Sequence, residues 1–225
     1  MNTAGKKIGR VVIGFLILAG LFLADQIVMT VLVFSGMLNG LTSILVSVAI
    51  GFGVGFVALY HYLTARETKL WTAFFRPLAH GGGKTLLKGY LATVVGTGII
   101  TGLFWLIPGG LPMTKQAVKT NLLPQAKLTV VFIIMVVIFA PLFEEIIFRG
   151  VPCYIFPRLN PVIFVAVTAI IFSLAHAPTN LYSFAARLWM GLTFGWTFLQ
   201  TNDIRTDMAV HSLWNLTAVV VALLL

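Results

Sequence analysis

Residues 141–150 read Pro-Leu-Phe-Glu-Glu-Ile-Ile-Phe-Arg-Gly and place two adjacent carboxylates and an arginine at the end of an apolar run, 128–142. A charged side chain at the centre of a bilayer costs roughly 2.5–3.5 kcal/mol even on lenient insertion scales. Because only 6 of the 225 residues are Asp or Glu, a Glu-Glu pair in such a run indicates a functional use. Pro141 predicts a kink that aims the two carboxylates. We interpret Glu144 and Glu145 as the centre of a catalytic site, with the rest of the chain forming a dry cavity around it.

The composition indicates a membrane protein, since 59% of the residues are hydrophobic and only 9% are charged, against about 25% charged in soluble domains. The net charge of +9 would suggest nucleic-acid binding in a soluble protein. Here the basic residues lie in short segments between apolar runs, as topology determinants do. We therefore expect a lipid bilayer, and not nucleic acid, as a partner. The single cysteine, Cys153, excludes an internal disulfide.

Apolar runs of about 20 residues, long enough to cross a hydrocarbon core about 30 Å thick, predict the transmembrane helices. We expect one all-α membrane domain, residues 1–225, built as a polytopic helical bundle of about seven spans, with eight as the alternative. The expected spans are 11–34, 41–63, 86–107, 128–148, 162–177, 182–199 and 208–225. Residues 64–85 mix cations with aromatic residues, which predicts an interfacial amphipathic segment. Residues 150–160 are expected to form a broken connection, and residues 200–207 a polar loop.

The distribution of basic residues favours a cytosolic N-terminus in a multi-pass protein of the cell membrane, and the short chain looks bacterial. With seven spans, most of the basic residues of the loops fall on the side of the N-terminus, and three fall on the opposite side. Those on the N-terminal side are Lys6, Lys7, Arg10, Arg66, Lys69, Arg76, Lys84, Lys88, Arg149, Arg158 and Arg205, and those opposite are Lys115, Lys119 and Lys127.

Three apolar segments carry functional side chains at helical spacing. Glu145 and Arg149 lie four residues apart and share a helix face, so they can pair. Glu144 is turned by about 100° from Glu145 and faces a different neighbour. Two further pairs have the same spacing of four residues, Phe172 with His176 and His211 with Asn215.

Each of these sets also has a structural interpretation. The Glu-Glu-x-x-x-Arg segment could be an ion pair at a helix end, His176 a hydrogen-bonded histidine of the bundle, and His211 with Asn215 an interhelical hydrogen-bond pair. Together, however, the three segments hold the groups that activate a water molecule and stabilise an oxyanion. The combination therefore favours catalysis.

The three motifs resemble those of the CAAX prenyl protease and bacteriocin-processing (CPBP) family of intramembrane proteases, also called the Abi family. The family's Glu-Glu-x-x-x-Arg, Phe-x-x-x-His and His-x-x-x-Asn motifs appear here, in the same order and spacing, as Glu144-Glu145-Ile-Ile-Phe-Arg149, Phe172-Ser-Leu-Ala-His176 and His211-Ser-Leu-Trp-Asn215. A weaker Phe- and Gly-containing helix of the family is echoed by residues 184–195. The resemblance covers about residues 125–220, the expected catalytic core, whereas the first 120 residues resemble the family only as unspecific membrane spans.

The resemblance implies a role for each motif residue. Glu144, together with His176, would activate the attacking water. His211 and Asn215 would hold the oxyanion of the tetrahedral intermediate. The remaining motif residues, which would orient the site, are Glu145 and Arg149.

The cofactor stays open at this point, because the family has been described both as metalloproteases and as metal-independent glutamate proteases. Glu144, His176 and His211 have the ligand types of a catalytic zinc site with one open position, so zinc is one alternative. The sequence lacks the His-Glu-x-x-His motif of ordinary zinc proteases. We favour a water activated by glutamate.

The leading functional hypothesis is an intramembrane endopeptidase that cuts a peptide or membrane-protein substrate: a prenylated C-terminus, a leader peptide, or another membrane protein's tail. The alternative is a non-enzymatic scaffold of the same fold that confers bacteriocin immunity or regulates a partner. A proton-coupled transporter is third, since intramembrane Glu and His also form proton relays, but no internal repeat is evident. The sequence leaves the oligomeric state open.

Overall fold

The computed structural model describes residues 81–109 and 133–224, together with Gly9, residues 11–14, Leu16, Ala19, Gly20, Leu23, Gly51, Gly55 and Leu78. Within these residues all regular elements are helical and none is a strand, which confirms the expected all-α class for this part of the chain. The expected interfacial segment 64–85 lies outside the described residues except for Leu78 and its last five positions. Most of the first two expected spans, and residues 110–132, also lie outside them.

Residues 81–109 and 133–224 form a series of helices. In chain order they are α1 Gly82–Trp105, α2 Ala140–Glu145, α3 Val151–Ile155, α4 Pro161–Ala175, α5 Leu181–Thr201 and α6 Ile204–Leu224. Two π-helical segments, Met135–Phe139 and Ile146–Gly150, flank α2.

Two of these helices, α1 and α6, are long and apolar enough to cross a membrane, and α4 is a shorter apolar helix. One face of α1 exposes an apolar side chain at every fourth residue, each between 49% and 58% exposed: Leu87, Leu91, Val95, Ile99 and Leu103. Such a continuous apolar stripe is unfavourable in water and suits contact with lipid. The described helices therefore fit a membrane protein, while the count of seven spans stays a prediction.

The chain divides into two compact units, which we describe separately. The acidic unit consists of Met1–Pro77 and Leu142–Arg158 and carries Glu144, Glu145 and Arg149. The histidine unit consists of Leu78–Pro141 and Leu159–Leu225 and carries His176, His211 and Asn215.

Close helix approach at small residues builds the histidine unit, in which α5 packs against α4 and α1 and α6 packs against α1 and α5. A methyl group at Gly191 of α5 would lie 2.8 Å from the Cα atom of Ala169 in α4, so only glycine permits this approach. Gly96 of α1 similarly leaves room for the indole of Trp189, whose Nε1 donates to the carbonyl of Ala92 at 2.9 Å.

Hydroxyl groups add hydrogen bonds between these helices. Polar side chains that bond across helices stabilise membrane bundles by roughly 0.6 kcal/mol each on average. The pairs that link α1 to α5 or α6 are Thr93 with Thr193 at 2.9 Å, Thr101 with Tyr182 at 3.2 Å and Tyr90 with Thr217 at 2.7 Å.

The expected broken connection at residues 150–160 is wrong in its first half, because the helix continues through α3 to Ile155. Pro152 lies in the first turn of α3, directly after the second π segment. The chain then turns over residues 156–160. Asn160 caps α4, since its side-chain oxygen accepts from the N–H of Val162 at 2.9 Å.

The expected polar loop at residues 200–207 is also wrong, since α5 runs to Thr201 and α6 begins at Ile204. Asn202 adopts a left-handed conformation with φ 47°, which asparagine tolerates and which turns the chain sharply. Asp203 then accepts from the N–H of Arg205 at 3.2 Å and from its Nε at 2.9 Å. A link of two residues therefore replaces the loop, and Asp207 lies inside α6.

Candidate active site

The helix that carries both glutamates is distorted at each end. The N–H of Ala140 donates to the carbonyl of Met135, and the N–H of Val151 donates to that of Ile146, so both bonds span five residues where an α-helix spans four. Such π turns are rare and are found frequently at functional sites. Each changes the direction in which later side chains point, so the first segment sets the orientation of Glu144 and Glu145, and the second that of the residues after Gly150.

The predicted distortion at Pro141 is present as the first of these π segments. Pro141 is the second residue of α2, and it has no N–H to donate to the preceding turn. The chain accommodates this loss with a wider helical turn directly before the proline, and the carboxylate of Glu144 follows three residues later.

The predicted pairing of Glu145 with Arg149 is present in the acidic unit. Nη1 of Arg149 lies 2.8 Å from Oε2 of Glu145, and both side chains are completely buried. Removing one partner of such a pair leaves an uncompensated buried charge, at a typical cost of about 3–5 kcal/mol. The ion pair therefore holds the second π segment, which contains Arg149, in a fixed position relative to Glu145.

Glu144 has a different environment from Glu145, as the angle between them along the helix predicts. Its side chain is half-buried, whereas that of Glu145 is not exposed at all. Phe143, which precedes it, is buried against Gly55, where an added methyl group would overlap the phenyl ring. This explains one of the glycines of the second apolar segment as a point of close approach beside Glu144.

His176 lies at the C-terminal end of α4, and one of its ring nitrogens is already bound. Nδ1 lies 2.8 Å from the carbonyl oxygen of Phe172. Since a carbonyl oxygen can only accept, Nδ1 carries the proton, and in the neutral ring Nε2 keeps its lone pair. The hydrogen bond thus fixes the tautomer, in which Nε2 is the acceptor nitrogen of the neutral ring.

The turn that holds His176 is fixed by α5. Arg187 donates from Nη1 to the carbonyl oxygen of His176 at 3.2 Å, and Ser173 donates to the carbonyl of Phe184 at 2.8 Å. The next residue, Ala177, has φ 45°, a conformation that costs a non-glycine residue of order 1 kcal/mol or more. Sequence reasoning missed Arg187, although an arginine within an apolar segment was a signal for it.

His211 lies near the middle of α6, only 4% exposed, and stacks on Phe194 with ring centroids 4.4 Å apart and an angle of 23°. The edge of Phe172 also faces it, at 5.9 Å and 71°. Because Phe172 lies 4.6 Å from the ring of His176, both imidazoles contact the same phenyl group. The structure therefore brings His176 and His211 together in the histidine unit.

Asn215 lies one turn after His211, where its Nδ2 donates to the carbonyl oxygen of Val136 at 2.9 Å. Val136 belongs to the first π segment. One of the two amide hydrogens of Asn215 is thus bound to the backbone, and the second can serve another acceptor.

Asp207 was not singled out from the sequence, because residues 200–207 were expected to form a loop. It is completely buried and lies one turn before His211 on α6. The spacing of four residues between a carboxylate and an imidazole was the signal that could have found it. Asp207 is an ionisable side chain in the interior of the histidine unit, close in sequence to the predicted catalytic histidine.

The described residues do not contain a group of three or more His, Cys, Asp or Glu side chains arranged to hold a metal ion. A catalytic zinc takes three protein ligands and a water. Zinc, with Glu144, His176 and His211 as ligands, stays an alternative from the sequence.

Residues 126–217 match the family model described as type II CAAX prenyl endopeptidase Rce1-like. The match covers all three motifs and supports assignment of the chain to the CPBP family of membrane proteases, which confirms the resemblance predicted from the motifs.

One relative is the UPF0177 protein YvdC of Lactococcus lactis subsp. lactis (strain IL1403), which is 31% identical over 170 residues. The alignment covers 73% of this chain and 61% of the relative, so the chain spans less than two thirds of that protein's length. No solved structure matches the chain.

Proposed function

We propose that this protein is an intramembrane endopeptidase that hydrolyses a peptide bond of a membrane-associated substrate, using a water molecule activated by Glu144 and His176. The observation that carries this proposal is the pair of imidazoles on one phenyl ring, His176 and His211 on Phe172, within the region that matches an endopeptidase family. Two histidines on one phenyl ring, one of them with a fixed tautomer, are better suited to a role in proton transfer than to a role in helix packing alone.

In the proposed first step, Glu144 takes a proton from the water while the oxygen of that water attacks the scissile carbonyl carbon. Nε2 of neutral His176 accepts a hydrogen bond from the second hydrogen of the water and so orients its lone pair. General base catalysis of this kind contributes typically 10²–10⁴-fold. The half-buried state of Glu144 supports this role, since the fully buried Glu145 is paired with Arg149.

The negative charge that develops on the carbonyl oxygen would be stabilised by His211 and by the second amide hydrogen of Asn215. Donors aimed at a developing oxyanion are worth about 10²–10³-fold each. The carbon–nitrogen bond then breaks, and the proton held by Glu144 passes to the leaving amine. Atoms and charge balance over these steps.

The proposed substrate is a peptide that reaches the site from the membrane. The candidates are a prenylated C-terminus, which is the substrate named in the description of the family model, a leader peptide, and the tail of another membrane protein. The apolar faces of the helices suit a lipid-bearing or extended apolar chain.

Comparative proteomics of membrane and secreted peptides tests the proposal. Cells that produce the wild-type protein and cells that produce Glu144→Gln are compared, with Glu67→Gln as a matched control because Glu67 lies outside the region that matches the family. We expect one or more peptides to be cleaved with wild type and Glu67→Gln but to remain intact with Glu144→Gln. Identical peptide sets in all three strains would contradict the proposal.

One observation favours the alternative of a non-enzymatic scaffold. Asn215 is bound to the backbone of Val136, which is what a residue that only joins helices would do. A scaffold requires that Glu144→Gln and His176→Asn keep full function in vivo, whereas a protease loses it with either change.

A further inference from the structure

From the hydrogen bond between Asn215 and Val136 we infer that Asn215 is a positioning residue, whose side-chain amide replaces the backbone N–H that Pro141 lacks and so fixes the turn before Glu144. The first observation is the register of the π segment. Ala140 donates to Met135, five residues back. The next bond of the same pattern would run from residue 141 to the carbonyl of Val136, and residue 141 is proline.

The second observation is that Asn215 donates to this same carbonyl. Nδ2 of Asn215 lies 2.9 Å from the oxygen of Val136, and the two residues are 79 positions apart in the sequence. In a membrane, a backbone carbonyl freed by proline must be satisfied by a side chain, a neighbouring helix or a local π turn. Here the π turn ends with the bond from Ala140 to the carbonyl of Met135, and a side chain from α6 binds the next carbonyl, that of Val136.

The position of Pro141 links this bond to chemistry. The proline is the second residue of the six-residue helix that carries Glu144, and a helix advances by 100° per residue. A change of register between α and π hydrogen bonding at Val136 would therefore rotate every later side chain of the segment. The effect of Asn215 on catalysis rests on the proposed function. The replacement of the missing N–H of Pro141 by the amide of Asn215 does not depend on it.

A double-mutant cycle in purified, full-length protein tests the inference. Asn215→Leu removes the side-chain amide and keeps a side chain of similar size. Pro141→Ala restores a backbone N–H at residue 141. In the protein that keeps Pro141, we expect Asn215→Leu to lower the melting temperature by about 2–4 °C, the effect of one lost hydrogen bond. In the Pro141→Ala protein, the same change should lower it by less than half of that. Pro161→Ala is the matched control, because Pro161 opens α4 and should leave the effect of Asn215→Leu unchanged.

The rate of peptide cleavage is the second readout. Asn215→Leu should lower kcat with little effect on KM, and Pro141→Ala in the same protein should restore at least part of kcat. A melting-temperature loss that is equal with and without the Pro141→Ala change overturns the inference, as does failure of the double variant to fold. Recovery of stability without any recovery of kcat overturns the positioning role and assigns the whole loss of kcat to the oxyanion contact already proposed for Asn215.

The two readouts also separate this inference from the proposed function. If the wild-type protein cleaves no peptide, the proposed function fails, while coupling of Asn215 and Pro141 in the melting temperatures still upholds the hydrogen-bond substitution. If the wild type is active but the two residues do not couple, only the inference fails.

Discussion

Nη1 of Arg149 lies 2.8 Å from Oε2 of Glu145, and neither side chain is exposed. A pair of opposite charges in an apolar interior is stable only while both partners are present, because each alone would be a desolvated charge. This relationship makes the two residues one structural unit, and it predicts how their variants behave.

Arg149→Met should destabilise the protein by about 3–5 kcal/mol, since it leaves the carboxylate of Glu145 buried without its partner. The double variant Glu145→Leu with Arg149→Met should recover most of this loss, because neutral residues replace both charges. Chemical unfolding in detergent measures both effects. A double variant as unstable as the sum of the two single variants would show that the pair does not act as a unit.

The close approach of Gly55 to Phe143 predicts a second effect. Gly55→Ala places a methyl group where the phenyl ring lies, and overpacking of this kind costs typically about 1–3 kcal/mol. Because Phe143 adjoins Glu144, we also expect lower peptide cleavage. Thermal unfolding and a cleavage assay on the same sample check both parts.

Gly98→Ala is the matched control for this change. Gly98 lies in α1 and has no atom within 4 Å of an added methyl group, so its replacement should be neutral or slightly stabilising, as alanine favours helix. Equal effects of the two substitutions would show that the contact with Phe143 is unimportant.

The bond from Arg187 to the carbonyl of His176 predicts a third effect. Arg187→Gln should lower cleavage by up to about 100-fold, since a displacement of a catalytic group by 1 Å can have that effect. Arg187→Lys should retain more activity because it keeps the charge, and added guanidinium ions should partly restore the Gln variant. Unchanged kcat in Arg187→Gln would show that the turn at His176 does not need this arginine.

Metal removal gives a fourth prediction. Cleavage by protein in vesicles should survive treatment with a chelator, because the proposed steps need only protein side chains and a water molecule. A zinc-dependent protease in the same vesicles should lose activity and serves as the control. Loss of cleavage that added zinc restores would assign the reaction to a metal centre.

Much of the fold of the described region could be predicted from the sequence, because periodic apolar residues and helix-capping residues carry the signal. The expected spans 162–177 and 182–199 differ by only a few residues from α4 and α5. The loop at residues 200–207 was predicted wrongly because a two-residue link depends on the left-handed conformation of Asn202. Composition alone does not reveal that conformation.

In the candidate site, too, some features could be predicted from the sequence and others could not. The spacing of the three motifs predicts Glu144, His176 and His211 as site residues, and this stays a prediction. The pairing of Glu145 with Arg149 follows from helical geometry and is present. The contacts of Arg187 with the turn at His176, and of Asn215 with Val136, depend on how separate helices pack. No local pattern in the sequence specifies such contacts, although Pro141 signals that some backbone carbonyl needs a donor.

The measurement that tests the central claim most directly is the cleavage rate of Glu144→Gln, His176→Asn and the double variant in reconstituted vesicles. If both residues act on one water molecule, each single change should lower kcat by about 10²–10⁴-fold. The double variant should then be hardly slower than the slower single variant, because groups that act as a unit are not additive. A double variant whose loss is the product of the two single losses, or single variants with wild-type rates, would contradict the claim.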